Sequence, residues 1–216
     1  MNFSMKITIK NDFRGLKKDE VYDFNYFPMI VVGKNGCGKS SLFQALRGYK
    51  NDGEENMMLV RDFKDLSYNI EVEHEYEKMF YFDAVKDNGS DMNVAIDAVT
   101  YLESGGYATR NRSHGEGALI YLDIFLKKYV NKFVENKTLL IFDEVDKGFS
   151  LSAMSKYINI LNNLSHKYKI DMLAITHNPI TIIQSHIAYD FTNRKIVSSL
   201  KYVNEETGLN LNTLLI

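Results

Sequence analysis

Apolar and polar residues alternate from Met5 to Asn11 and again from Glu20 to Phe24, the period of half-buried strands, with a turn at Gly15 between them. Ile30 to Val32 then breaks the alternation inside an apolar run, Met29-Ile30-Val31-Val32, and reads as a buried strand; Lys39 to Arg47 follows with helical spacing. Beyond the polar connection Asp52-Gly53-Glu54-Glu55-Asn56, alternation returns over Ser67 to Glu75, with Tyr68, Ile70 and Val72 on one face. Met79 to Phe82 is expected to pair with that strand. Asp91 to Tyr101 and Glu116 to Val130 are spaced as helices on either side of a loop, Leu102 to Arg112.

The second half of the chain reads differently. Leu139 to Phe142 and Asp171 to Ile175 have the length and continuity of strands buried on both faces, as in a parallel sheet. Leu151 to Lys167 carries a helical core face, Pro179 opens a short helix, and Ala188–Phe191 with Lys195–Ser199 form a closing hairpin turned at Thr192-Asn193. Strands alternating with helices here, after antiparallel strands earlier, predict an α/β fold. Its core holds a parallel sheet, an antiparallel β-subdomain is interleaved, and the whole forms one domain over residues 1–216.

Composition narrows this only a little. With 216 residues, 45% hydrophobic and 25% charged, the chain is of ordinary globular type. A net charge of −2 weighs against nucleic-acid binding by bulk electrostatics, while leaving room for a local basic face. Cys37 is the only cysteine, so no internal disulfide forms and a reducing cytoplasm is expected. The first residues run straight into a strand pattern rather than a signal peptide, and no apolar run approaches the ~20 residues of a bilayer span. Direct membrane insertion is not expected.

The candidate chemistry begins at Gly33-Lys34-Asn35-Gly36-Cys37-Gly38-Lys39-Ser40, set between a buried strand and a helix that continues through Ser41. That context makes it a phosphate-binding loop of the P-loop NTPases. Gly33, Gly36 and Gly38 let the backbone wrap phosphate oxygens, and the amides from Asn35 and Cys37 to Ser41 point at the anion. Lys39 is placed for the β/γ-phosphates of ATP and the Ser40 hydroxyl for Mg²⁺. Downstream, Leu139 to Phe142 empties into Asp143-Glu144 at a strand's carboxyl end, where ligands of open α/β sheets collect. Asp143 is the second expected Mg²⁺ ligand, and Glu144 is placed to polarise a water for attack on the γ-phosphate. A GTPase reading fails, because Asn136-Lys137-Thr138-Leu139 lacks the aspartate of a guanine reader and precedes the metal strand.

Ser113-His114-Gly115-Glu116-Gly117 stands before the Glu116–Val130 helix, where a hydroxyl and glycine amides at a helix start form a second anion site. In its position between phosphate loop and Asp-Glu strand, this segment resembles the signature motif of ABC-type ATPases. Ile175-Thr176-His177 resembles that superfamily's switch segment, and Asp146-Lys147-Gly148-Phe149-Ser150 its D-loop region. The resemblance implies that Ser113 and Gly115 complete the active site of a second copy in a head-to-tail, ATP-dependent homodimer. It also implies that His177 touches the γ-phosphate and that the D-loop region lies along the interface.

The wording of the loop, of Ser-His-Gly-Glu and of Thr-His-Asn-Pro is similar to the RecF/SMC-like and overcoming-lysogenization-defect-like heads, often labelled AAA-type ATP-binding proteins. In those, an early strand-turn like Asn11–Lys17 brings a basic residue, here Arg14, toward the phosphates. Neither a coiled-coil arm nor a fused nuclease domain is expected. Val145 replaces the proline usual in transporter ATPases, and neither Gln44 nor Gln184 falls where those enzymes carry a glutamine; Asp83 is one candidate for that contact.

The resemblance implies an ATP-hydrolysing head acting on DNA, a nuclease or another protein effector. An ATP-gated protein-binding module with little hydrolysis is the alternative, and a transporter's ATPase subunit the less favoured one.

Overall fold

The computed structural model describes residues 4–49, 65–83, 119, 122–123, 126, 137–147, 149–168 and 170–208. Along them run β1 (Met5–Ile9), β2 (Val21–Phe24), β3 (Met29–Val32), α1 (Lys39–Tyr49), β4 (Ile70–His74), β5 (Lys78–Asp83) and β6 (Thr138–Asp143). Then come α2 (Leu151–Asn162), a π-helical turn at Asn163–Lys167, β7 (Asp171–Ile175), α3 (Pro179–Gln184), β8 (Ile187–Asp190), β9 (Lys195–Ser198) and α4 (Ser199–Thr207). The segment expected as one helix from Leu151 to Lys167 therefore widens in its last turn.

Two sheets result. The alternating strands make an antiparallel sheet in the order β2-β1-β4, and the apolar runs, with the exposed strand β9 at one edge, build a second sheet, β5-β6-β7-β3-β8-β9, parallel except for β9. The second sheet is a middle layer, which explains why its inner strands β3, β6 and β7 are apolar on both faces, while the edge strand β9 stays largely exposed. Met29, Val31, Leu139, Ile141, Leu173 and Ile175 pack toward α1 and the antiparallel sheet. Ile30, Val32, Leu140, Phe142, Met172 and Ala174 pack toward Met154 and Tyr157 of α2, Ile182 of α3 and Val203 of α4, and toward Leu122 and Leu126. Leu119, Leu122, Asp123 and Leu126 are helical, in agreement with the helix expected over Glu116 to Val130.

Two expectations are corrected, and one element is added. Met79 to Phe82 does not pair with the Ser67–Glu75 strand; β5 runs parallel to β6, with Asp83 level with Asp143. Tyr68 lies in the turn before β4 and is 64% exposed, so the strand's inner face begins at Ile70. A helix that the pattern did not announce, α4, follows the closing hairpin; only Ser199 and Val203 of it are buried, and Gly208 ends it in the left-handed conformation. The segments Asp52–Asn56, Asp91–Tyr101 and Leu102–Arg112 lie outside the described residues.

The antiparallel sheet reaches the phosphate loop through the turn between β1 and β2, where Phe13 and Leu16 exchange backbone hydrogen bonds. Leu16 is 1% exposed and lies against Gly38: a β-carbon added there would fall 2.5 Å from Leu16 Cδ2. Gly38 has φ +98° and Gly36 φ +78°, but a β-carbon at Gly36 would meet nothing within 4 Å. The two glycines thus answer different demands, a close approach at Gly38 and backbone conformation alone at Gly36. Gly36→Ala is expected to cost about 1–2 kcal/mol for the left-handed backbone. Gly38→Ala should add overpacking of about 1–3 kcal/mol, part of it recovered in Gly38→Ala/Leu16→Ala. Urea denaturation of the three variants measures this, and equal losses at both glycines would remove Leu16 from the explanation.

Candidate nucleotide-binding site

The phosphate loop leaves β3 at Gly33, which is buried, while Lys34, Asn35 and Gly36 are exposed and Cys37 is half-buried. Its base is braced from the β8–β9 turn. The Asp190 carboxylate accepts from the backbone amides of Thr192 and Asn193, and the Thr192 hydroxyl accepts from the Lys34 amide at 3.2 Å. Lys39 opens α1 and is 5% exposed, yet its ammonium is fully engaged. It donates to the carbonyls of Gly33 at 2.7 Å and Lys34 at 3.0 Å, with Cys37 Sγ at 3.6 Å. The cation is thereby held inside the curve of the loop. Ser40 is exposed on the same first turn and Ser41 half-buried behind it.

Parallel register brings the second constellation level with this loop. Asp143 on β6 and Val31 on β3 are both opposite Ile175 of β7, so the residues that follow all three strands emerge at one edge. Asp143 is 6% exposed and accepts a short hydrogen bond from the Tyr81 hydroxyl on β5; the Arg47 guanidinium of α1 lies 5.1 Å from the centre of the Tyr81 ring. Glu144 has φ +48°, a left-handed conformation costly for a side-chain-bearing residue, and its amide is tied to the Ile175 carbonyl at 2.9 Å. This turn aims the Glu144 carboxylate at Lys147 Nζ, 3.1 Å away, and at His177 Nε2, 3.8 Å away. Burial pushes the His177 imidazole below its ordinary pKa and the Lys39 charge pushes the same way, against the opposing pull of Glu144. Lys39, Glu144 and His177 therefore share one electrostatic neighbourhood.

Ser113 and Gly115 lie outside the described residues. Arg14 stands at φ +41° in the β1–β2 turn with its guanidinium on the Gln44 side chain at 2.9 Å, and a β-carbon added at neighbouring Gly15 would lie 3.8 Å from the Gly36 carbonyl oxygen. The segment expected along an interface turns inward in part. Asp146 is 2% exposed and Phe149 packs edge-on against Tyr157, which leaves Lys147 and Ser150 as the exposed members among its described residues. Sequence reasoning missed Tyr81, whose signal was only its place two residues before Asp83 on an apolar strand. The hairpin turn at Thr192-Asn193 was expected, but not its role: the Asp190 carboxylate shapes it as an Asx motif and Thr192 braces the Lys34 amide.

Ser40 and Asp143 are hard oxygen donors of the type Mg²⁺ takes, and Lys39 opens the helical turn that carries Ser40. The residues present fit a Mg²⁺–triphosphate. Among the described residues no cluster of three or more His, Cys, Asp or Glu could hold a metal, and Mg²⁺ with a phosphate ligand needs none.

No protein-family profile matches the chain, and no curated protein matches it in sequence. Solved structures do. A structure of cbiO1 from Clostridium perfringens, part of the ABC transporter complex cbiONQ, superposes with TM-score 0.55 at 14% identity, covering 99% of this chain and 96% of that one. The ADP conformation of an ATP-binding cassette of an ABC transporter gives 0.54 at 15% identity, covering 91% and 90%. A dimeric post-hydrolysis cassette bound to ADP and Pi gives 0.52 at 12% identity, covering 90% and 98%. The chain has the ATP-binding cassette fold. Among its described residues, no helix is long and apolar enough to cross a membrane.

The shared neighbourhood of Lys39 and His177 can be measured. His177 should titrate with a midpoint below 6.5 by NMR, and Lys39→Ala should move that midpoint upward. Because the folded value is the lower one, the unfolded chain takes up this proton first; His177 lowers stability as pH falls below about 6.5 and has no effect above it. An unmoved midpoint in Lys39→Ala would separate the two residues.

Proposed function

We propose that the protein binds Mg²⁺-ATP and hydrolyses it to ADP and phosphate, with ATP closing two copies head to tail. The observation that carries the reading is the meeting of Glu144 with His177 at the level strand ends, beside a phosphate loop whose lysine is already drawn inside it. Lys39 exchanges its carbonyl partners for β- and γ-phosphate oxygens, and the amides from Asn35 to Ser41 take the remaining oxygens. Ser40 and Asp143 would hold Mg²⁺, which neutralises charge developing on the phosphates. Glu144 accepts the proton of the attacking water, and neutral His177 donates a hydrogen bond to the γ-phosphate.

One copy supplies all of these groups except those at Ser113 and Gly115. A partner's Ser113 hydroxyl and Gly115 amide meeting the γ-phosphate supply the interaction that distinguishes ATP from ADP, so ATP closes the pair and ADP releases it. The work done by the closed pair is assigned to DNA or a nuclease-like protein effector, on the wording of the loop and signature segments. The transporter cassettes of like fold favour a second reading, an ATPase subunit beside separate membrane-spanning subunits. Turnover stimulated by DNA selects the first; nucleotide-dependent capture of a membrane protein selects the second.

Glu144→Gln should bind ATP yet hydrolyse it about 10²–10⁴-fold more slowly, since the amide keeps the shape and loses the base. Near-normal turnover would assign water activation to another group. Light scattering of Glu144→Gln should show a dimer with ATP and a monomer with ADP, and adding Ser113→Arg should block association while calorimetry still detects ATP binding. A dimer indifferent to nucleotide would overturn the head-to-tail mechanism.

A further inference from the structure

Asp146 stands three residues beyond Asp143, buried to 2% exposure in a turn whose neighbour Lys147 is exposed. A buried carboxylate is costly unless hydrogen-bonded, and this one is bonded twice over. The Thr176 hydroxyl donates into it, 2.8 Å from Oδ1 and 2.7 Å from Oδ2, and the Thr181 hydroxyl lies 2.5 Å from Oδ2. The Thr176 oxygen also accepts from the Asn178 amide at 2.9 Å. The Asn178 side chain caps α3 by accepting from the Ile180 amide at 3.0 Å, and Thr181 on that helix returns to Asp146. These bonds close a ring: Asp146, Thr176, Asn178, the first turn of α3, Thr181 and Asp146 again. His177 is the residue between Thr176 and Asn178. Its position is therefore fixed from both sides by bonds that terminate on one carboxylate.

The other end of the Asp146 turn is equally anchored. Glu144, two residues before Asp146, is tied to β7 through its amide, and Lys147 bridges back to the Glu144 carboxylate. The same short segment thus sets Glu144 directly and His177 through the ring. We propose that Asp146 is a positioning residue that holds His177 in register with Glu144 across the site, without itself touching substrate. This deepens the ATPase reading and rests on it for the catalytic consequence, but not for the geometric one.

The charged groups around His177 are Lys39 of α1, and Glu144, Asp146 and Lys147 of the turn after β6. They make the test directional. Removing the Asp146 charge alone removes a group that favours the imidazolium, which lowers the His177 midpoint further. Releasing the His177 segment into solvent has the opposite effect and returns the midpoint toward 6.5.

Asp146→Asn tests this, because an amide offers one oxygen acceptor where the carboxylate offers two. With histidine-labelled protein, the His177 midpoint is expected to rise toward 6.5. Calorimetric ATP affinity should stay within about 3-fold, while kcat falls at least about 10-fold, in the range typical of lost catalytic positioning. Thr176→Val should reproduce the pattern, and Thr176→Ser, which keeps the hydroxyl, should restore wild-type behaviour. A His177 midpoint that falls or stays put in Asp146→Asn overturns the proposal, as does affinity lost in step with kcat. If Asp146→Asn fails to fold, the Thr176 pair decides: Ser and Val variants that behave alike overturn it, and a difference between them supports it. Should the wild type neither bind nor hydrolyse ATP, the ATPase reading falls, while the midpoints still decide whether Asp146 positions His177.

Discussion

The level ending of three parallel strands governs the site. Val31, Ile175 and Asp143 share one register across β3, β7 and β6, so whatever residues follow them in sequence emerge together in space. A single-residue slip in this pairing would turn every side chain to the opposite face. Asp143 would then point toward the Leu140–Phe142 side, away from α1 and the phosphate loop. The register is secured by the apolar residues on both faces of the sheet, which explains why the site's geometry depends on Leu139, Ile141, Leu173 and Ile175 as firmly as on its polar groups.

Much of this was legible because sheet burial and a tightly curved loop impose different, recognisable patterns. The runs Met29–Val32, Leu139–Phe142 and Asp171–Ile175 are apolar because two layers cover them. The glycines of the loop are there because Gly36 needs a left-handed backbone and Gly38 must admit Leu16. What escaped the sequence lacks such a local cause. Met79–Phe82 is as apolar as its partner Leu139–Phe142, but nothing in a run of apolar residues says which strand it joins or in which direction. Helix α4 is mostly polar and is held by Val203 against the core and by a left-handed Gly208 at its end, so tertiary packing rather than periodicity makes it.

Asp146 shows the limit most clearly. In sequence it is one acid among several charges after the sheet, and solvation is the ordinary expectation for such a residue. Only folding brings Thr176 and Thr181 to it, from a segment 30 and 35 positions away. Burial pushes this carboxyl above the usual range, and the bonds from Thr181 and Thr176 oppose that shift.

The inward fold of Lys39 has a consequence for selectivity. A hydrogen bond from an ammonium to a carbonyl contributes about 1.5–3 kcal/mol, and this lysine makes two of them. A ligand gains from the cation only the difference between its own oxygens and those carbonyls. A small solitary anion replaces two good contacts with contacts of similar number. A polyphosphate that also engaged the amides from Asn35 to Ser41 would gain where the lysine alone gives little. On the proposed reading, such a loop would discriminate by the count of simultaneous contacts rather than by charge, and free inorganic anions would be weak competitors even in a medium where they abound.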